Sequence, residues 1–330
     1  MKVLIAGGAG YIGSTIASCC EDAGITPVIL DDYSTGLRVF AARYAHYEGD
    51  IADVALLTRI VDEHPDIDAV VHCAAKIVVP ESVEQPLAYY DTNVAKAVAL
   101  IDALSARGVR RFLLSSTAAM YEPDPDFMVS EASAVNPGSP YAASKWMLER
   151  VLADTAATGR ISAVALRYFN PIGADPQMRT GLQNPAPSHA LGKMITAHQQ
   201  HQPFFVTGVD WPTRDGSGLR DYVHVWDLAR AHVAALQREL GEYEAINLGT
   251  GTGTTVLELA SAVGEATGEP LDVVPAPRRE GDVVGSAARV DKAAEVLGWR
   301  PEFTLAQGVR HSLQWAAKLP AVLRDEAALR

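Results

Sequence analysis

Cysteine is scarce in this chain: Cys19, Cys20 and Cys73 are the only three in 330 residues. No pair has the spacing of a metal site, and an odd count suits a reducing compartment better than a disulfide framework. A cytoplasmic protein without a bound metal is expected. Basic residues are also in short supply, with 28 Lys and Arg against 40 Asp and Glu, a formal net charge of −12. A surface of that sign repels nucleic acid and anionic membranes, which call for a basic face. An anionic ligand would need arginines gathered locally. Long apolar runs are missing too, and none approaches the ~18 residues of a membrane-spanning helix. Met1 and Lys2 lead directly into an apolar run, so no secretory leader is expected. The remainder, 48% hydrophobic and 21% charged, is the composition of a globular protein able to bury a large core.

The apolar residues are organised. Short β-branched runs fall at 3–6, 27–30, 69–74, 111–115 and 162–168, with helical patterns between them at 12–23, 54–63 and 93–107. Uninterrupted apolar strands alternating with helices mean a parallel sheet covered on both faces. The right-handed crossover then gives a doubly wound α/β sheet. After Asn170 the rhythm breaks. Residues 171–190 are rich in Pro, Gly, Asn and Asp and read as loop. Beyond them helices are expected near 191–200, 225–240, 256–267, 292–297 and 305–317, with strands at 204–206 and 245–248. A dinucleotide-binding domain over 1–170 and a smaller α+β substrate domain over 171–330 follow, with about 220–250 partly returning to the first.

Three local patterns carry chemistry. Gly7, Gly10 and Gly13 lie between the first strand and the first helix. The first permits a tight turn, the second lets backbone approach a pyrophosphate, and the third lets helix and strand pack closely. A helix N-terminus then offers free N–H groups to the anion. Asp31 ends the second strand, 18 residues past Gly13, where a carboxylate accepts bonds from an adenosine ribose and repels a 2′-phosphate. NAD is favoured over NADP, although Arg38 lies nearby. Asp50 and Ile51 follow the third strand position and would flank the adenine or simply cap a helix.

The second pattern is Tyr141 and Lys145, one turn apart on a helix that Ser139 would cap and Pro140 would open. A phenol of ordinary pKa near ~10 is a poor base at neutral pH. A neighbouring ammonium favours the phenolate. The third is Thr117, at the carboxyl end of the fifth strand, where ligands of open α/β sheets bind. Its hydroxyl would share a substrate proton with Tyr141, or else cap backbone.

Together these motifs resemble the extended short-chain dehydrogenase/reductase superfamily over nearly the whole chain, and most of all the UDP-glucose (UDP-galactose) 4-epimerase family. Two runs in the second half strengthen the resemblance: Gly218-Leu219-Arg220-Asp221-Tyr222-Val223-His224-Val225 and Ala276-Pro277-Arg278-Arg279-Glu280-Gly281-Asp282. The resemblance implies a Rossmann-type first domain and an NAD cofactor lined by Tyr11, Ile12, Asp31, Asp32, Asp50, Ile51, Ala74, Asn93, Lys145 and Phe169. It implies a UDP-sugar held by Asn170, Arg220, Arg279 and Asp282, with Phe205 along the uracil and His189 as a further contact. Tyr141, Lys145 and Thr117 would be catalytic, working by transient oxidation at C4, and the protein would be a homodimer.

The sequence departs from the family pattern in places. Ala75-Lys76-Ile77 differs beside the nicotinamide, so Lys76 receives no cofactor role. Ser286 stands where some members carry a bulky tyrosine, which resembles members that also admit N-acetylated hexoses. Alternatives remain within the superfamily: UDP-glucuronate or UDP-N-acetylglucosamine 4-epimerases, a ketoreductase or a 4,6-dehydratase. A non-catalytic NAD-sensing regulator is the rival from another class. Dehydratases carry Asp-Glu directly after the threonine, and Ala118-Ala119 occupy those positions here.

Overall fold

A computed structural model describes residues 1–239, 241–278 and 284–329. Seven strands form its central sheet: β1 (Lys2–Ala6), β2 (Thr26–Asp31), β3 (Ala45–Glu48), β4 (Ile67–His72), β5 (Arg111–Thr117), β6 (Ser162–Tyr168) and β7 (Tyr243–Leu248). Their order is β7-β6-β5-β4-β1-β2-β3, and every pairing is parallel. Alternation of side chains explains why these strands read as unbroken apolar runs. Val3 and Ile5 enter one core with Ile16, Ile29 and Leu228. Leu4 and Ala6 enter the other with Val28, Leu30, Leu57, Leu100 and Leu148. Beyond Lys2, neither face of β1 meets water, so neither can be polar.

The main helices are α1 (Tyr11–Asp22), α2 (Val54–Glu63), α3 (Lys96–Ala106), α4 (Pro140–Ala157), α5 (Ala190–Gln199), α6 (Val225–Leu236), α7 (Val256–Thr267) and α8 (Leu305–Leu329). Helices α1 and α6 cover one face of the sheet, and α2, α3 and α4 cover the other. A third core gathers α5, α7 and the start of α8 around the parallel strand pair Phe204–Thr207 and Val273–Ala276. Asn170–Ile172 pairs in parallel with Tyr222–His224, at the point where the chain leaves β6.

Two helices end where their sequence does not announce it. The pattern over 225–240 predicts a longer α6, but the helix stops at Leu236. Arg111 supplies the reason: its guanidinium donates to the carbonyls of Ala235, Leu236 and Arg238, groups a helix end leaves free. The last helix, expected to finish near 317, runs to Leu329 through Pro320. Trp315, Leu319, Val322 and Glu326 continue one buried stripe past the proline. Burial of that stripe outweighs the roughly 3 kcal/mol a helical proline costs. Among the described residues no helix is long and apolar enough to cross a membrane. No group of three or more His, Cys, Asp or Glu among them is arranged to hold a metal ion.

Candidate active site

The sheet order reverses between β1 and β4, and the crevice outside their carboxyl ends is where an open α/β sheet binds ligand. The glycine loop lies there. Gly7 has φ +79°, and a Cβ on it would stand 2.5 Å from the Ala74 nitrogen. A Cβ on Gly13 would collide with the Gly7 carbonyl. Gly10 differs, since a Cβ there would meet nothing closer than the Gly7 oxygen at 3.6 Å. The backbone above α1 is therefore open on that side, and no side chain caps the helix. Its first N–H groups and the positive end of its dipole face the opening.

Asp31 is 7% exposed and accepts from the N–H groups of Ala9 and Tyr33, both at 2.9 Å. Burial raises its pKa, and those two bonds oppose the rise. Asp32 accepts from the backbone and hydroxyl of Ser34. Asp50 pairs with Lys96 and accepts from Ala52 N–H at 2.9 Å. Burial pushes this carboxyl up, but Lys96 and the N–H bond hold it below its ordinary value. Ile51 is buried beside it. The Tyr11 hydroxyl donates to the Gly173 carbonyl at 2.7 Å and so ties the glycine loop to the segment after β6. Ile12 packs into the core under the loop. The Ala74 N–H donates to the Ala6 carbonyl.

Asn93 is 1% exposed, and its amide brackets the backbone of one residue. Oδ1 accepts from Lys76 N–H at 2.8 Å, while Nδ2 donates to the Lys76 carbonyl and to Ser144 Oγ, each at 3.0 Å. The Lys76 ammonium turns to Glu81, 3.0 Å away. The Phe169 ring sits in an apolar cluster with Ala118, Tyr121, Val129 and Ala288.

Ser139 caps α4 by accepting from Ala142 N–H, and Pro140 occupies its first turn. Tyr141 and Lys145 are buried one turn apart, 8% and 2% exposed. The Lys145 ammonium donates to the Ser115 carbonyl at 2.9 Å. Burial depresses its pKa to about 8, against the upward pull of Cys73 and Glu149. Thr117 is buried at the end of β5, next to the phenol, and accepts from Ala119 N–H. Here the energetics depart from the expectation drawn from spacing. The pKa of Tyr141 is raised, because burial of the phenol dominates and Thr117 is the neighbour that opposes it. The lysine is one turn away, yet one of its protons is directed to β5.

Where the chain leaves β6, Asn170 donates from both its backbone and its amide to the Asp221 carbonyl, at 3.0 and 3.3 Å. Arg220 donates to the carbonyls of Leu219 and Val284 and has no carboxylate partner among the described residues. Phe205 is 55% exposed, unusual for a phenylalanine on a strand. His189 is exposed and caps α5, its Nδ1 accepting from Gly192 N–H at 3.2 Å. Ser286 is half-buried beside the short strand Ala287–Ala288. Arg279 and Asp282 lie outside the described residues.

Two residues escaped the sequence reading. Tyr222, next to Arg220, has a buried hydroxyl with no partner among the described residues. Burial pushes its phenol up to about 12, with the Arg220 charge opposing. Gln183 places its Nε2 3.9 Å from where a Gly10 Cβ would stand, and its buried Oε1 has no partner among the described residues. Neither lies in a periodic segment. Tyr222 falls inside the run Gly218–Val225 that carried the resemblance, which gave it no role of its own, and Gln183 had no signal.

The model of the NAD dependent epimerase/dehydratase family matches residues 3–249. The UDP-glucose 4-epimerase of Rhizobium leguminosarum bv. trifolii is 42% identical over 319 residues, covering 96% of this chain and 97% of its own. The crystal structure of UDP-glucose-4-epimerase from Stenotrophomonas maltophila, with bound NAD and formylated UDP-arabinopyranose, superposes with a TM-score of 0.92 at 36% identity. It covers 97% of this chain and 99% of its own. The enzyme from Bifidobacterium longum, in complex with NAD+ and UDP, gives a TM-score of 0.88 at 33% identity, with 97% and 99% covered.

Proposed function

This chain belongs to the NAD dependent epimerase/dehydratase family, and from that footing we propose that Tyr141, Thr117 and Lys145 invert C4 of a UDP-hexose by transient oxidation. The protein is an NAD-dependent UDP-hexose 4-epimerase acting on UDP-glucose. The groove fits that cofactor. The side of Gly10 that no Cβ closes leaves room for a pyrophosphate at an uncapped helix end. Gly7, Gly10, Tyr11, Ile12 and Gly13 would hold the pyrophosphate. Asp31 and Asp32 would take a ribose, and Asp50 and Ile51 the adenine. Ala74, Asn93, Lys145 and Phe169 would line the nicotinamide end.

NAD held in this groove would supply a reversible hydride acceptor. The chain supplies the rest. Tyr141, as phenolate, takes the proton of the 4-hydroxyl while Thr117 bridges, and gives it back after the sugar turns over. The Lys145 charge favours that phenolate. Asn170, Arg220, Tyr222, Arg279 and Asp282 would hold the UDP portion, so that its binding energy retains the 4-keto sugar. Phe205 offers an apolar face for the uracil, and His189 would bound the sugar pocket. Ser286 would leave space for an N-acetyl group.

The observation that carries this reading is the meeting of Tyr141, Thr117 and Lys145 at the carboxyl end of β5, in the crevice of the glycine loop. The test is incubation with UDP-galactose followed by NMR, with absorbance watched for net NADH. UDP-glucose without NADH accumulation is expected. Tyr141→Phe should abolish turnover while NAD stays bound, and retained activity would remove the assigned base.

We place the cofactor domain at 1–170, with part of 220–250 returned to it, and the substrate domain at 171–330. A cytoplasmic homodimer serving galactose metabolism completes the proposal. What supports the dimer is a set of exposed apolar residues on neighbouring helices, Val79, Val83, Leu87, Val98 and Met147. A second copy of the same face would bury them.

A further inference from the structure

We infer that Glu149 and Arg167 are positioning residues, a buried charged clamp that registers the helix of Tyr141 against the strand of Thr117 and so governs turnover rather than binding. The inference rests on the reading of Tyr141 as the base. Tyr141, Lys145 and Glu149 recur every four residues on α4, so one face of the helix carries all three. Glu149 is 0% exposed and Arg167 is 4% exposed.

The carboxylate is fully engaged. It accepts from Arg167 Nε at 3.0 and 3.1 Å and from Arg167 Nη2 at 2.6 Å. It also accepts from the Tyr243 hydroxyl at 2.9 Å and from the Ser116 hydroxyl. The other arm of the guanidinium donates to the Tyr121 hydroxyl at 2.6 Å, which donates in turn to Asn247 Oδ1 at 2.7 Å. A buried ion pair is a weak source of stability, since apolar residues of like volume usually serve as well. What a directional network of this kind does provide is one geometry.

The elements it joins are the ones the reaction needs. Ser116 stands between Ser115, whose carbonyl holds the Lys145 ammonium, and Thr117. Arg167 lies three residues before Asn170, and Tyr243 and Asn247 are on β7. One ion pair therefore ties α4 to β5, β6 and β7. Glu149 also supports the charge of Lys145 against burial. The groups that face Lys145 are Tyr141 and Glu149 on its own helix, and His72 and Cys73 at the end of β4. Of these, Glu149 is the carboxylate.

Purified, NAD-loaded Glu149→Gln and Ser116→Ala would be compared with the unaltered enzyme. kcat per NAD-occupied site, KM for UDP-galactose and the pH profile of kcat would be measured. For Glu149→Gln, kcat should fall about 10- to 100-fold with KM within about twofold, as a displacement of order 1 Å does. The basic limb of the profile should move to lower pH, because Lys145 loses the charge that sustains it. Ser116→Ala cuts only the link to β5, and its kcat should fall about 3- to 10-fold at normal NAD content, so it decides the matter if Glu149→Gln does not fold. A kcat per occupied site within twofold of the unaltered enzyme overturns the inference, as does a KM-only effect or an unmoved pH profile. If Tyr141→Phe stays active while Glu149→Gln does not, the assignment of the base has failed instead.

Discussion

Lys145→Met should stabilise the NAD-free fold while abolishing turnover. The lysine is 2% exposed, and burial lowers its pKa from 10.5 to about 8. At about 1.4 kcal/mol for each tenfold change in proton affinity, holding the ammonium inside costs the fold about 3 kcal/mol at pH 7. Methionine fills a similar volume without that charge. It also loses the bond to the Ser115 carbonyl, a loss of about 1 kcal/mol. The net gain is about 2 kcal/mol, or roughly 4 °C in Tm. The pH dependence fixes the cause. The unfolded lysine keeps its proton up to 10.5, whereas the folded one releases it near 8. The penalty is therefore complete below pH 8 and fades as pH rises to 10.5, where the unaltered protein draws level or passes the variant. Urea unfolding of both proteins at pH 7, 8.5 and 10 measures the gap. A variant less stable than the original at pH 7, or a gap that does not shrink with pH, would refute the assignment of a costly buried ammonium.

Gly7→Ala should lose bound NAD on gel filtration and unfold at lower urea. Its φ of +79° and the 2.5 Å approach to Ala74 together cost about 1–3 kcal/mol. Asp221→Ala should destabilise by about 3–5 kcal/mol in urea. Its carboxylate, 0% exposed, accepts from the N–H groups of Thr250, Gly251 and Ala288, which would lose that partner, and from the Thr250 hydroxyl, which can turn to the Thr252 carbonyl. UDP-N-acetylglucosamine should turn over measurably by NMR, and Ser286→Tyr should suppress that reaction more than tenfold while leaving UDP-glucose within a few fold. Equal loss on both sugars would reject Ser286 as the determinant.

What could be read from the sequence is what adjacent residues determine. The apolar runs ending at Ala6, Leu30 and Tyr168 mark strands because both faces of a parallel sheet are dry, a condition visible in the run itself. Gly7 and Gly13 announce a close approach because no other residue tolerates it. The contacts that could not be read join distant positions. Arg111 ends α6 from more than a hundred residues away, and Glu149 and Tyr243 meet across 94. Neither leaves a periodic trace. Gln183 reaches the glycine loop from a stretch whose Pro and Gly content says only that it is not regular.

The Tyr141–Lys145 pair stands between these cases and shows where local reasoning stops. Four-residue spacing correctly puts both side chains on one face of α4, since that follows from helix geometry alone. The acidity of the phenol does not follow from spacing. It depends on how much water the surrounding strands exclude, and in this protein that exclusion raises Tyr141 and lowers Lys145 at once. The two shifts drive apart affinities that nearly coincide in water, 10.0 for the phenol and 10.5 for the ammonium: the phenol holds its proton more tightly and the ammonium releases its own more readily. Thr117 is the neighbour that opposes the rise of the phenol, so the phenolate that the proposed reaction calls for needs positive charge brought beside it.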